Sequence, residues 1–354
     1  MMKSLQHVFV LVLLGVGSSL LAQDFHYSQF YHGPMHLNPA LTGIFNGDAR
    51  IMGNYKSQWA DVPVDYQTFT VAFDKKFLRR TDKDGFFSGG IALNYDRAGD
   101  SRLTWADVNL NVSYTAILSR SIFLTLGGQG ALAQRSYDEE NLRFDAQFDE
   151  PRGILDPLRP NGESFSSSSF IFPDFSIGLN LRIQAKYDPT VLVFRNKKRS
   201  KIDLGVAIHH LTNPDQSFDD DFKFPLESRL SPYAIGTLQL GKPLDLVAAV
   251  TYQTQSEAYE ELVGMAGVRL HLNNNLGRQF NILLGAGLRR NEIQDSWWPT
   301  VELGINNLEI GLNYDFNTSR FSIATENQGG LELSVRYLFR KIRALPGIPN
   351  CPLI

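Results

Sequence analysis

Few residues of this chain have the type and spacing that chemistry needs. His209-His210 is the densest pair of metal-capable side chains. Neighbours on a strand point to opposite faces, so the two imidazoles are not expected to share one ion. Asp219-Asp220-Asp221 could hold Ca²⁺ through carboxylate oxygens. Their spacing is not that of an EF-hand, and a solvated loop competes with that reading. Ser166, Ser167, Ser168 and Ser169 lack the Gly-x-Ser-x-Gly turn that exposes a nucleophile. Gly127-Gly128-Gln129-Gly130 has no helix to follow it, so it is not a phosphate loop. Glycines inside a strand suit curvature or close packing instead. Cys351 is the only cysteine, which excludes a disulfide framework and a cysteine-built metal cage within one chain. The chain therefore reads as a non-enzyme with no cofactor and no metal site.

The balance of charge points the same way. Lys and Arg number 34 against 37 Asp and Glu, a net charge of −3. Such a chain has no basic field to draw in nucleic acid. Residues 1–22 read as a secretory signal peptide, with Lys3 ahead of the apolar run 8–16 and small residues Ser18, Ser19 and Ala22 before a cut. An uncleaved anchor is the competing reading. No cysteine follows Ala22, so a lipoprotein signal is excluded. No later run is long and apolar enough for a transmembrane helix.

What would position any site is a long series of β-strands. Period-2 alternation recurs along the chain. Val108, Leu110, Val112 and Tyr114 alternate with Asp107, Asn109, Asn111, Ser113 and Thr115; Leu308, Ile310, Leu312, Tyr314 and Phe316 alternate with Glu309, Gly311, Asn313, Asp315 and Asn317. Fourteen such segments are predicted, starting near residues 49, 67, 86, 104, 121, 174, 201, 230, 244, 260, 279, 297, 307 and 329. The segment at 230–240 alternates weakly. Most are long enough to cross a bilayer at a tilt, which takes about 9–11 residues.

The apolar face is expected to meet outer-membrane lipid. The other face, rich in Asn, Ser, Thr, Gly and Gln, suits a polar lumen better than a charged solvent face. The fold class expected is thus all-β, an antiparallel transmembrane β-barrel of the outer-membrane type, over residues 49–339. A secreted β-sandwich array is the competing fold. Short connections at 78–85, 118–120, 241–243, 273–278 and Asn306-Asn307 are assigned to the periplasm. Long ones at 135–173 and 212–229 are assigned to the exterior. The turn 186–200, with Lys197, Lys198, Arg199 and Lys201 near its end, is long for its side. Trp59, Trp105, Trp297 and Trp298 fall at outer strand ends, as an interfacial aromatic belt would. Residues 340–354, with three prolines, read as a periplasmic tail.

Residues 23–48 do not alternate and are expected to be a lumen plug or a periplasmic segment. They carry Gln29 and Phe30, then Asn38, Pro39 and Gly43, as candidate partner-binding positions; Asp219, Asp220 and Asp221 are further candidates on an outer loop.

At these residues the chain resembles a known family. Ser28-Gln29-Phe30-Tyr31, Leu37-Asn38-Pro39-Ala40-Leu41-Thr42-Gly43 and Tyr55-Lys56-Ser57-Gln58-Trp59 look like the N-terminal signature of the PorP/SprF family. Gly311-Leu312-Asn313-Tyr314-Asp315-Phe316-Asn317 and 329–337 agree at the other end. The resemblance implies a fourteen-stranded outer-membrane barrel of the type IX secretion system without enzymatic activity. It implies support for export and surface attachment of a cognate secreted protein bearing a C-terminal sorting domain, including gliding adhesins. It also implies contact with periplasmic components of the system. A passive porin or transporter is the alternative that the residues leave open. An outer-membrane hydrolase would need a catalytic cluster at the outer rim.

Overall fold

The computed structural model describes residues 26–58, 66–80, 85–99, 101–138, 142, 144–149, 154–156, 158–160, 167–185, 198–218, 223–255, 259–275, 277–291, 295–318 and 328–340. The expected signal peptide, Trp59, Asp219, Asp220, Asp221, most of turn 186–200 and the tail beyond Arg340 lie outside these residues.

Fourteen antiparallel strands close into one barrel, β1 pairing with β16. They are β1 (Ala49–Gln58), β2 (Tyr66–Arg80), β3 (Gly85–Ala98), β4 (Leu103–Ile117), β5 (Ile122–Ser136), β8 (Ser169–Gln184), β9 (Lys201–His209), β10 (Arg229–Gln239), β11 (Leu244–Gln255), β12 (Tyr259–Asn273), β13 (Phe280–Asn291), β14 (Ser296–Ile305), β15 (Leu308–Asn317) and β16 (Gln328–Phe339). β6 (Phe148–Asp149) and β7 (Ile154–Leu155) form a separate hairpin in the long loop between β5 and β8. No described helix is long and apolar enough to cross a membrane; the crossing is made by strands.

The alternation resolves as lipid-out and polar-in. On β4, Val108, Leu110 and Val112 are exposed while Asn109, Asn111 and Ser113 are buried. Odd-numbered strands up to β5 run from the short-turn end to the long-loop end, so β1 starts at the periplasmic rim and Gln58 lies at the outer one. Leu110 is 61% exposed near the middle of its strand. A lipid-facing arginine at the midplane costs about 2–4 kcal/mol. Leu110→Arg is therefore expected to lower the yield of assembled barrel in outer-membrane fractions, while Leu110→Phe leaves it unchanged.

Three details differ from expectation. β8 begins at Ser169, five residues before the expected start near 174. Its outer end is apolar on both faces: Phe170 and Phe172 turn inward on Trp105, while Ile171 and Phe175 are exposed. The alternation there is hidden. The tryptophans also depart from a simple belt. Trp297 is exposed and stacks on Phe316 at 4.7 Å, but Trp105 and Trp298 are buried in the lumen. Trp105 donates to Asp107 at 2.7 Å and lies under the Arg135 guanidinium. Finally, His209 and His210 both turn inward. His210 has φ +56° and lies just past the end of β9. That left-handed residue breaks the alternation, so the rings come to 6.2 Å. His209 faces Ser176 Oγ and the Leu37 carbonyl, and His210 faces Asp174. Among the described residues no cluster of three metal-capable groups forms.

Candidate functional site

The lumen is occupied by the chain's own residues 26–48. A 3₁₀ turn (Phe30–His32), one turn of α-helix (Pro34–Leu37) and a second 3₁₀ turn (Pro39–Leu41) carry the chain through it. Pro34 and Pro39 each open a turn, where a missing N–H costs nothing. Ser28, Gln29, Phe30, Asn38, Pro39 and Gly43 are all buried.

The outer end is held by charge. Ser28 and Gln29 each donate a backbone N–H to the Glu332 carboxylate at 2.8 Å. Ser28 Oγ donates to Asp315 at 2.6 Å. Lys56 Nζ donates to the His26 carbonyl at 3.0 Å and stands 3.6 Å from Asp315. His26 stacks on Tyr259 and lies 3.3 Å from Glu261, which Arg289 also contacts at 2.8 Å. The Gln29 carboxamide donates to Asn313 and accepts from Ser334. Buried charges persist only when paired and hydrogen-bonded, and each of these carboxylates has such partners. Tyr27 bonds Thr70 at 2.8 Å, and burial pushes the Tyr27 and Tyr31 phenols up, which keeps them neutral.

The middle is held by shape. His32 faces Glu302 at 2.9 Å. Phe30, Leu37, Leu41 and Ile44 pack on Tyr233, Val247, Ala249, Val263, Met265, Leu283 and Trp298. One side of the lumen wall, β10 to β14, is thus apolar where the segment lies on it. This explains the weak alternation at 230–240: Tyr233 and Ile235 turn inward into that packing. On the opposite side Asn54, Asn94, Asn109 and Gln129 line two small cavities beside His36, one of them walled also by the apolar cluster Met35, Met52, Ala72 and Ala92.

The Leu37–Gly43 run is a fitted piece. The Asn38 side-chain oxygen accepts from Ala40 N at 2.7 Å, closing the second 3₁₀ turn. Its nitrogen donates to the Leu179 and Val206 carbonyls, both at 3.1 Å. A Cβ at Gly178 would overlap the Asn38 carboxamide, and one at Gly127 the Pro39–Ala40 backbone. The glycines at Gly127-Gly128-Gln129-Gly130 thus serve close packing at Gly127. Gly43 has φ +76° and gives its N–H to Asp74 at 2.8 Å.

The periplasmic end is basic. Arg50 forms a two-point pair with Asp74 at 2.9 and 2.7 Å. Phe45 lies between the Arg50 and Lys76 cations, each 4.6 Å from its ring centre. Arg182 pairs with Asp203 and donates to the Ile44 carbonyl. Arg199, at the end of the basic turn, grips Asp245 with both carboxylate oxygens and caps the Gly241 and Lys242 carbonyls.

The chain matches the family described as type IX secretion system membrane protein PorP/SprF over residues 19–337. It belongs to the PorP/SprF family. Membership makes it an outer-membrane component of type IX secretion, working among that system's parts, and places it in a secretion family rather than an enzyme class. A comparison with curated proteins finds no match. Two solved structures are similar in form. The toluene transporter TbuX of Ralstonia pickettii is 11% identical, with TM-score 0.48, 87% of this chain and 94% of that one covered. A FadL homologue of Pseudomonas aeruginosa is 13% identical, with TM-score 0.46, 92% and 96% covered.

In this PorP/SprF barrel the candidate residues Gln29, Phe30, Asn38, Pro39 and Gly43 make their contacts with the barrel wall. Sequence reasoning singled them out as unusual but missed their wall partners, chiefly Glu332, Asp315, Asp74, Arg50 and Lys56. The signal available was the charge on otherwise Asn- and Ser-rich inward faces. A polar lumen needs no charges, so Lys56, Asp74, Glu302, Asp315 and Glu332 at inward positions imply something inside to meet them.

Proposed function

We propose that this barrel is a closed, anchoring component of type IX secretion. In this reading it supports export and surface attachment of one cognate secreted protein, adhesin-like, with a C-terminal sorting domain, in service of gliding motility. The observation that carries it is a family barrel whose lumen is filled by its own residues 26–48, with ion pairs at both ends and an apolar face between. Such a body suits holding better than conducting, which weighs against a passive porin or transporter. Loops on a rigid scaffold commonly carry binding, so the connections 135–173 and 212–229, the latter with Asp219, Asp220 and Asp221, are the proposed cargo surface. Gln29, Phe30, Asn38, Pro39 and Gly43 contribute to partner binding by fixing the plug beneath that surface. The tail 340–354 is the proposed contact with periplasmic components. No chemistry is assigned to the site.

Fractionation of a deletion strain tests this. One cognate surface protein is expected to be lost from the cell surface, either released or retained, while other secreted proteins change less. Normal attachment of every surface protein would overturn the reading, and loss of small-solute uptake instead would favour the transporter.

A further inference from the structure

The periplasmic end of the barrel meets the membrane in two ways. On β16, β2, β3 and β4 the lipid-facing rows end in exposed rings: Tyr337, Phe339, Phe77, Phe87 and Tyr114. Phe87 lies 4.8 Å from Tyr114 and Tyr337 4.9 Å from Phe339, centre to centre. Rings of this kind hold a barrel at the headgroup level. From β8 to β12 the rows end instead in exposed Ile183, Ile202, Leu240, Leu246 and Leu272, and among the described residues no exposed ring stands at that end. Bases stand there in their place. The turns after β8, β10 and β12 present exposed Lys198, Lys242 and Arg278. Residues 198–200, 240–243 and 273–279 include no Asp or Glu, and among the described residues the three bases form no ion pair. The nearest acid in sequence to Lys242, Asp245, faces inward and is taken by Arg199 and His271 at 2.8 and 2.7 Å. The turns are also tied to one another. Arg199 donates to the Gly241 and Lys242 carbonyls at 3.0 Å each, Asn274 donates to the Lys242 carbonyl at 3.4 Å, and His271 N donates to the Pro243 carbonyl at 2.7 Å. The backbone that carries the bases is thereby fixed while their side chains stay exposed.

We infer that this arc of the periplasmic rim, from β8 to β13, is a binding site for the headgroups of anionic phospholipids. Charge gives the class of ligand: bases without a carboxylate beside them attract a phosphate. The leucines give its source. Leu240 and Leu272 are 57% and 62% exposed, and they continue the lipid-facing rows of β10 and β12 up to the turns that carry Lys242 and Arg278. An acidic protein segment would need bases set in water. Here the bases follow directly on side chains that stand in lipid, which suits one molecule with acyl chains and a phosphate. Long basic side chains reach the headgroup while their stems lie along apolar surface, so the arc does with charge what the opposite arc does with rings. The inference does not depend on the cargo reading above.

Lipid selectivity of the purified full chain tests this. The barrel is placed in phosphatidylcholine vesicles with a trace of spin-labelled phosphatidylglycerol or of spin-labelled phosphatidylcholine, and the share of label held at the protein is read from its spectrum. A base at an anionic surface is worth about fivefold in association, so averaged over the whole perimeter phosphatidylglycerol is expected to be preferred at least about twofold. The variant Lys198→Gln, Lys242→Gln, Arg278→Gln is expected to lose most of that preference. A variant with the same change of charge at the outer end, Arg102→Gln, Arg159→Gln, Arg290→Gln, is expected to keep it. Both are compared as SDS-resistant barrels, so that only folded protein is read. Equal preference in the wild type and the inner variant would overturn the site. An equal loss in the outer variant would overturn it too, because net charge alone would then account for the effect. Soluble glycerol phosphate at the concentration of the lipid is expected to displace no label, and displacement would overturn the lipid as occupant.

Discussion

Replacing Glu332 with alanine is expected to release the outer end of the plug. The carboxylate is fully buried and accepts the Ser28 and Gln29 N–H groups at 2.8 Å each. Its loss leaves two buried donors without their acceptor, each costing about 1–3 kcal/mol. Lys56 keeps Asp315 at 3.6 Å, so the loss is confined to these donors. Every 1.4 kcal/mol is tenfold, so the fraction of molecules with this end undone is expected to rise at least about tenfold. Chymotrypsin reads this directly, because the described plug has no Lys or Arg but offers Tyr27, Phe30 and Tyr31. Cleavage follows the open population when opening is fast. Glu332→Gln, which keeps an acceptor oxygen, is expected to be cleaved more slowly than Glu332→Ala. Equal resistance of wild type and Glu332→Ala would place the hold on the plug elsewhere.

Asp74→Ala is expected to weaken the barrel itself. Asp74 is fully buried, receives two bonds from Arg50 and one from Gly43 N, and so ties β1, β2 and the plug together. Without it Arg50 remains buried with no carboxylate, a loss of about 3–5 kcal/mol. The expected readout is unfolding at a lower temperature, seen as loss of the compact, SDS-resistant form on gels. Replacing both members with apolar residues, Arg50→Met with Asp74→Leu, is expected to recover much of that loss, because buried pairs are often no better than well-packed hydrophobic residues. If Asp74→Ala alone keeps the wild-type transition, the pair is not what joins these three elements.

The contrast between these residues and the strands around them shows what can be read from the chain alone. Facing on β4 or β15 needs only the alternation of neighbours, so Leu110 and Asn111 were legible. The plug has no such period. Its fold depends on pairings between residues far apart in sequence, such as Ser28 with Asp315 and His32 with Glu302. Local pattern carries no trace of these. Asn38-Pro39 was legible as a turn, but not that its carboxamide would lie over Gly178. The run at 230–240 was weak for a physical reason that only the packing reveals: Tyr233 and Ile235 face a plug, not water. His209-His210 misled because one residue with positive φ turned a strand neighbour inward.

Conductance in a planar bilayer tests the closed-barrel account most directly. The full chain is expected to show almost no steady current. The same barrel lacking residues 26–46 is expected to hold stable open channels, since the side chains Glu332, Asp315, Asp74 and Arg50 would then line a water-filled lumen. Large, steady channels from the full chain, matching those of the shortened one, would contradict the account and make the barrel a porin.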